Sequence, residues 1–596
     1  QLDGIVRNEG EEQNLEWDGL WEVATSRDAQ GWTAEIAIPF KTLRFSTKNP
    51  QVWGFNVFRY LARRKEESAW RPILKEWARL SRYKISEFGE IHGLQDQVPG
   101  GRYSFLPYAL TRHRDQEVSG HSTQGSAGGD LKISLTSQLV ADLTVKTDFA
   151  EAEADQEQVN LSRFKLFFPE KRQFFLEGAS LFYFGDRITV FDPPEPFVFF
   201  FSRQIGLTLN GAVEVPVLGG AKISGKVGDV SVGMLNLATD RKDYVDDSGR
   251  RVVEPRTDYT VVRLKTDIYP RSTIGLIALD KDPTGPGYNQ GLGMDWDLAF
   301  GSRLSSAGFV AQTQTPGLHG DDRAYSADLV YKGPVMRLGE TYKDFEDNFN
   351  PEMGFLPRAG IKKSLTEGSW ILVPDKGLLH QLSIITSLDH TTDQRGNLQT
   401  QIAFLDVGVL NRDRAGMAVV ATDDIEVLDL PFEIFKGVVL PAGSYRFDHL
   451  FVGYASDYTR KLACTLWYDN GEFYDGRRLR TLVALVARPA TGLSISASWD
   501  RSNVHLKEGD FITDLVQSTA SYSFSSRLST RLTMQWEKVD NLRANFLIDW
   551  IYRPDSHVFL VYNDIRDLDS LRRSTGFSPL DPGRSVTLKL SRRLDF

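Results

Sequence analysis

The sequence predicts an all-β chain dominated by one large antiparallel barrel, its strands facing lipid outside and water inside, with a plug segment packed in the lumen. Three observations predict it. Segments throughout the second half alternate apolar and polar residues with period two. The last strand-like segment runs from Ser585 to a terminal Phe596. Between two β-rich regions lies a stretch, Asp148 to Gly178, that shares the pattern of neither neighbour.

The totals permit this architecture. A chain of 596 residues is too long for one ordinary core, so it forms two domains or one very large closed sheet. Hydrophobic residues make up 41% and charged residues 25%, which is not a disordered composition. The net charge of −9 argues against nucleic acid as a partner. Cys464 is the only cysteine, so internal disulfides and an all-cysteine zinc site are excluded. The densest apolar run, Phe197 to Phe201, falls far short of the ~20 residues of a membrane helix. A transmembrane barrel needs no such run, because its strands are only half apolar. Strand-like sequence begins at residue 1, which is the expectation for a processed or trimmed chain.

Residues 1–95 are rich in tryptophan (Trp17, Trp21, Trp32, Trp53, Trp70, Trp77), and Gly31 to Phe40 alternates until it stops at Pro39, as edge strands do. The string GWTAEIAIPFKTLRF followed by WGFNVFR resembles family-9 carbohydrate-binding modules, but only their second half. The resemblance implies a partial β-sandwich. Its missing strands are then expected from a cleaved upstream fragment or from another polypeptide, because half a sandwich leaves an open edge. It also implies that Trp17, Trp21 and Trp70 stack on sugar rings; the alternative is that they are core or interface tryptophans.

Residues 96–596 are expected to form the barrel. Asp130 to Thr136 and Leu139 to Phe149 read as a first hairpin. In later strands Leu493, Ile495, Ala497 and Trp499 alternate with serines, and Leu528, Leu532, Met534 and Trp536 oppose Arg531, Thr533, Gln535 and Glu537. Leu542, Ala544, Phe546, Ile548 and Trp550 alternate with Arg543, Asn545 and Asp549. Trp499, Trp536 and Trp550 end their apolar rows, where an interfacial aromatic girdle belongs. At about twenty residues per strand and connection, the region holds roughly 22–26 strands. Asp240 to Arg256, Phe345 to Gly360 and Leu428 to Gly443 are the longer connections, expected to be extracellular. The final strand resembles the closing strand of bacterial outer-membrane barrels, with Arg592 as a departure on its apolar face.

The plug is expected over 150–185. It opens with five carboxylates (Asp148, Glu151, Glu153, Asp155, Glu157) and continues with four bases (Arg163, Lys165, Lys171, Arg172). Oxygen ligands at that density suggest calcium, but an EF-hand's glycine-containing spacing is absent and the bases suffice to neutralise the run, so a lumenal ion-pair network is the alternative. Phe164, Phe167, Phe168, Phe174 and Phe175 then pack the plug against the wall, while Phe182 to Phe184, Phe191 and Phe197 to Phe201 either continue that packing or start the next strand.

The string VNLSRFKLFFPEKRQFFLEG together with Phe349-Asn350-Pro351-Glu352-Met353-Gly354-Phe355 resembles the outer-membrane domain-of-unknown-function family 5916, whose members carry a family-9 carbohydrate-binding-like domain in front of a barrel. The resemblance implies an outer-membrane location and a barrel, and no activity; the usual topology of even-stranded barrels, with chain termini in the periplasm, is what puts the amino-terminal region there. The residues themselves offer no catalytic constellation. There is no His-Glu-x-x-His, no Gly-x-Ser-x-Gly and no haem-attachment motif, and Gly287, Gly291 and Gly293 precede a strand and not a helix, so no enzyme is expected. The expected function is binding or passage of a solute, such as an oligosaccharide, across the outer membrane. The alternative is a barrel scaffold within a multi-protein envelope assembly.

Overall fold

The computed structural model describes residues 4–7, 12–14, 19, 21–43, 45, 49–61, 66–73, 82–97, 102–116, 120–147, 158–186, 196–208, 214–245, 250–269, 271–538, 541–567 and 583–596. From Tyr103–Gln116 onward each long strand pairs antiparallel with the next. Gly583–Ser591 returns to Tyr103–Gln116, with Leu588 opposite Thr111, and closes the ring. Leu594–Asp595 continues that last strand onto the same partner beyond Arg592 and Arg593, so the barrel's 25 segments make 24 strands. That number lies within the range expected from the sequence.

An even number of antiparallel strands puts both barrel termini at one end. There Phe596 donates its N–H to the Tyr103 carbonyl at 2.9 Å. The turns at this terminus end are short, as at Gly228-Asp229 and Pro554-Asp555. The opposite end carries the long connections 240–256, 346–360 and 429–442, as expected. The first of these holds the ladder Lys242–Val245 with Arg251–Glu254, and the last holds Phe432–Phe435 with Val438–Leu440.

The outer face is the apolar half of the period-two pattern. Leu276, Leu292, Met294, Leu388, Leu405, Leu450, Leu466, Leu532, Leu588 and Leu590 all stand exposed on it. No soluble protein leaves so continuous a belt of large apolar side chains in water. Leu528 to Trp536 spans eight residue steps, roughly 27 Å along a strand, or about 20 Å along the axis at a tilt near 40°. That is close to the hydrophobic height of an outer membrane. Exposed Tyr103, Phe105, Tyr269, Phe300, Tyr522, Phe524, Trp550 and Phe596 ring the terminus end. Trp499 and Trp536 close their rows towards the loop end. Arg592 is exposed at the interruption of the closing strand, beside Pro107, to whose carbonyl its N–H is bonded, and so sits at the edge of the belt.

Sequence and structure differ at the first hairpin. Gly120–Ser134 pairs with Leu139–Val145, but Tyr103–Gln116 precedes both and belongs to the barrel. Its lumenal side carries Arg112 and Arg114 and its outer side Thr111 and His113, so its apolar alternation fades halfway along. The described residues before 96 form four two-stranded ladders: Ile5–Arg7 with Glu12–Asn14, Glu22–Arg27 with Trp32–Ala37, Gln51–Phe55 with Gly89–Leu94, and Phe58–Leu61 with Glu66–Ala69. This region meets the barrel at a terminus-end turn, where Arg414 reaches Glu67 at 3.3 Å and lies over the Tyr60 ring.

Candidate functional site: a lumen filled on one side

Residues 146–216 join Leu139–Val145 to Val217–Val227 at the loop end. The two strands pair directly, Val145 opposite Gly219, so the whole segment leaves and re-enters the wall at one point. Its described residues, chiefly 158–186 and 196–208, fold back into the lumen. Within it Gln173–Leu176 and Ala179–Phe182 form single helical turns. Phe182, Phe184, Phe197, Phe199 and Phe200 build a buried core with Phe309, Phe345, Phe349 and Met353. Phe197 touches three of these rings at centroid distances of 5.0–5.8 Å. The segment 197–201 therefore continues the insert and is not a lipid-facing strand, and the insert extends well past residue 185.

The wall beneath the insert is shaped to receive it. Gly291 and Gly293 face inward on Asn289–Phe300. A Cβ at Gly291 would stand 2.7 Å from the Phe199 ring, and one at Gly293 would stand 2.6 Å from the Phe184 ring. On Gly233 a Cβ would meet Phe182 at 2.9 Å. These strands are apolar on both faces: Leu276 is exposed outside, while Ile277 and Leu279 are buried under the insert.

Charges fix the remaining geometry. Arg263, wholly buried, forms a two-pronged pair with Asp295 at 2.6 and 2.7 Å and donates to the insert carbonyls of Leu181 and Tyr183 at 3.2 Å. Lys343 pairs with Asp186 of the insert at 2.7 Å, and Lys132 with Glu177 at 2.5 Å. Buried Lys222 lies 3.4 Å from Asp142 and donates to the carbonyls of Phe174 and Glu177. Such charges are tolerable in a dry contact only when paired and hydrogen-bonded. Inside the insert, Glu170 takes two side-chain bonds from Arg172 and one from Ser202. Burial alone would push the Glu170 carboxyl up, but these donors outweigh it and hold it below the usual carboxylate range. Arg172 also bonds the carbonyls of Ser202 and Ile205 and covers the Phe175 ring.

Of the bases singled out in the sequence, Arg163 crosses the lumen. It meets Glu426 at 2.6 Å on Gly416–Leu428, ten strands round the ring from the Gly233 contact. Leu161 packs beside it against a second buried cluster that includes Phe447, Phe473 and Phe511. Lys171 lies half-buried near Glu170, and Lys165 is exposed. Asp148, Glu151, Glu153, Asp155 and Glu157 lie outside the described residues, as do Trp17, Trp77 and Phe191. Trp21 is half-buried, and Trp70 is exposed against Phe55 and over Gly89. Among the described residues no group of three metal-ligating side chains comes together.

The other side of the lumen differs. From Leu493–Leu506 to Ser556–Asp567 the inward residues include Ser494, Ser496, Ser498, Thr519, Ser521, Thr533, Asn545 and Asn563, with Arg531, Arg543 and Leu547 among them, all half-buried. These are the strands whose alternation is cleanest in the sequence. On Leu462–Phe473, Trp467 shares the inward face with Phe473 and Asp469, and it remains 39% exposed. The signal for it was weak, because Leu466-Trp467-Tyr468 is an unbroken apolar triplet.

The family described as Domain of unknown function (DUF5916) matches residues 99–281. That match runs from the first barrel strand through the insert to the strand ending at Pro283. No curated protein matches the sequence. Among solved structures, the siderophore receptor PirA from Pseudomonas aeruginosa is similar at 9% identity, over 84% of this chain and 81% of that one, with a TM-score of 0.42. The same bacterium's OccK9 (OpdG) is similar at 9% identity over 83% and 99%, TM-score 0.30. A copper transporter, OprC, is similar at 11% identity over 64% and 78%, TM-score 0.33.

Proposed function

We propose that this protein is a bacterial outer-membrane channel or receptor that binds or passes a hydrophilic solute along the open side of its lumen. One observation carries the reading. The inward face is apolar where the insert covers it and hydroxyl- and amide-lined where Ser498, Thr519, Thr533 and Asn545 are left half-buried. A 24-strand ring is wide enough to hold an aqueous path unless something fills it. Here, among the described residues, the filling is tied to one wall and reaches the far wall near the loop end, at Arg163 and Leu161. The chemistry needed is binding and passage, with no reacting group, so the reading is non-enzymatic.

The terminus end is read as periplasmic. Even strand number, the aromatic ring at that end and the Arg414 contact of the amino-terminal region all support it. The insert is then an inward-folded extracellular loop. Liposome swelling with the purified protein tests the passage reading: swelling in small neutral sugars supports it, and vesicles as tight as protein-free ones refute it.

A second reading is favoured by the amino-terminal ladders. Trp32, Ile36, Ile38, Val52, Phe55, Val57 and Trp70 are all exposed there. So much apolar surface suits contact with another polypeptide, and the barrel would then seat an envelope assembly. Affinity purification from native membranes decides this reading; recovery of the chain alone counts against it.

A further inference from the structure

Among the described residues of the barrel, Trp467 is the one exposed indole that the lipid belt does not explain. Trp370 and Trp550 point outward near the ends of their strands, where girdle aromatics belong, and Trp499 points outward at the end of its apolar row. Trp467 instead sits at the sixth position of the twelve-residue strand Leu462–Phe473, opposite Gly453 and Leu482. Its neighbours Leu466 and Tyr468 take the lipid face, and its own parity is that of Phe473, a member of the buried cluster against which Leu161 of the insert packs. A Cβ on Gly453 would stand 2.6 Å from the indole, so the ring lies against the bare backbone of the next strand and turns its other side to the lumen. An apolar surface of this size in an aqueous interior is unfavourable unless something covers it.

The surroundings name the covering. Arg480, diagonal to Trp467 on the adjacent strand, holds Asp500 through two hydrogen bonds of 2.9 and 2.6 Å. The Arg480 side chain is still 42% exposed, so it keeps donors for a solute, while Asp500 supplies acceptors and cancels the net charge. Beyond this pair the wall continues with the hydroxyls of Ser498 and Thr519. A flat aromatic face beside a neutralised donor–acceptor pair and a row of hydroxyls fits a sugar ring, whose C–H face is apolar and whose rim is all hydroxyl. A simple anion would lack a net positive site here, and a greasy solute would strand the hydroxyls.

We propose that Trp467 is a stacking platform for a neutral oligosaccharide, with Arg480 and Asp500 bonding its hydroxyls. This rests on the reading of the lumen as a solute path, and it names the solute class. The test uses the full-length protein, folded in detergent for calorimetry and in planar bilayers for ion current. The probes are maltohexaose, xylohexaose and cellohexaose, with citrate as a charged control. The wild type is expected to bind at least one hexasaccharide and to show current interruptions with it, and none with citrate. Trp467→Ala should shorten the interruptions and weaken binding roughly tenfold, while Trp467→Phe should restore most of both. Trp550→Ala, on the lipid face, should behave as wild type. Equal sugar binding in wild type and Trp467→Ala overturns the proposal, as does a conducting wild type that binds none of the three sugars. Sugar binding lost in Trp467→Ala without any ion current upholds the platform and removes the passage reading instead.

Discussion

Arg263 and Asp295 meet over the one strand, Ser272–Pro283, that separates theirs in the lumen wall, and the insert is hung on the arginine's outer edge through the carbonyls of Leu181 and Tyr183. The aspartate neutralises a guanidinium that has no access to water. Asp295→Ala therefore leaves a buried unpaired charge, and the expected loss is about 3–5 kcal/mol. Urea titration of the folded barrel should show it, accompanied by earlier proteolysis within 158–208. Arg263→Met, which removes the charge, should cost less. Equal losses in the two variants would mean that packing, and not charge, sets the stability here.

Gly293 makes room for the Phe184 ring. Gly293→Val would place side-chain atoms where that ring now sits, and overpacking of this kind costs roughly 1–3 kcal/mol. The expected result is a folded barrel whose insert is cleaved faster by protease than in the wild type. Gly301→Ala, at a turn where a Cβ has open space but the backbone is left-handed, tests the contrast: mild destabilisation without loosening of the insert.

The Glu170 carboxyl is held below its ordinary value of 4.5 by Arg172 and Ser202 against the opposing effect of burial. A group lowered on folding contributes stability that is complete above its unfolded value and is lost as pH falls through its folded one. The insert should accordingly keep its conductance signature from neutral pH down to about pH 4.5 and become noisy below it. Glu170→Gln should be noisy at neutral pH already. Channel recordings between pH 7 and pH 3 measure this, and a noise onset at the same pH in both proteins would remove Glu170 as the cause.

Leu532 and Thr533 are adjacent in the chain and on opposite sides of the wall. Leu532→Arg puts a charge into lipid and should cost about 2–4 kcal/mol near the midplane. Thr533→Arg puts it into the lumen and should leave refolding into liposomes near wild type. Comparable losses would contradict the assignment of faces.

These faces were legible because Leu528 to Glu537 and Leu542 to Trp550 lie on the open side, where lipid and water impose opposite demands and period two survives. It was blurred wherever the insert imposes a second apolar demand, as at Ile277 and Leu279, and wherever the lumen carries an indole, as at Trp467. The aromatic run 197–201 was ambiguous for the same reason, since five consecutive apolar residues carry no period. Gly291 and Gly293 read as a turn because the rings they admit are about a hundred residues away in the chain. The end of the barrel from which the insert enters follows from strand parity, and that required the strand Tyr103–Gln116, whose charges hid it. The inward role of Arg163 lay in its position within the stretch 148–178, but its partner, Glu426, had no sequence signal.

The insert is the part on which function turns, and its ends adjoin at Val145 and Gly219, so it can be excised without stretching the wall. Single-channel conductance should be compared between the wild type and a variant with residues 147–216 replaced by a Gly-Ser turn. An inward-folded loop that narrows a real path predicts a folded, heat-modifiable barrel whose conductance rises several-fold, since the freed lumen of a ring this large is water-filled. A folded variant with unchanged conductance would show that residues 147–216 do not obstruct the lumen.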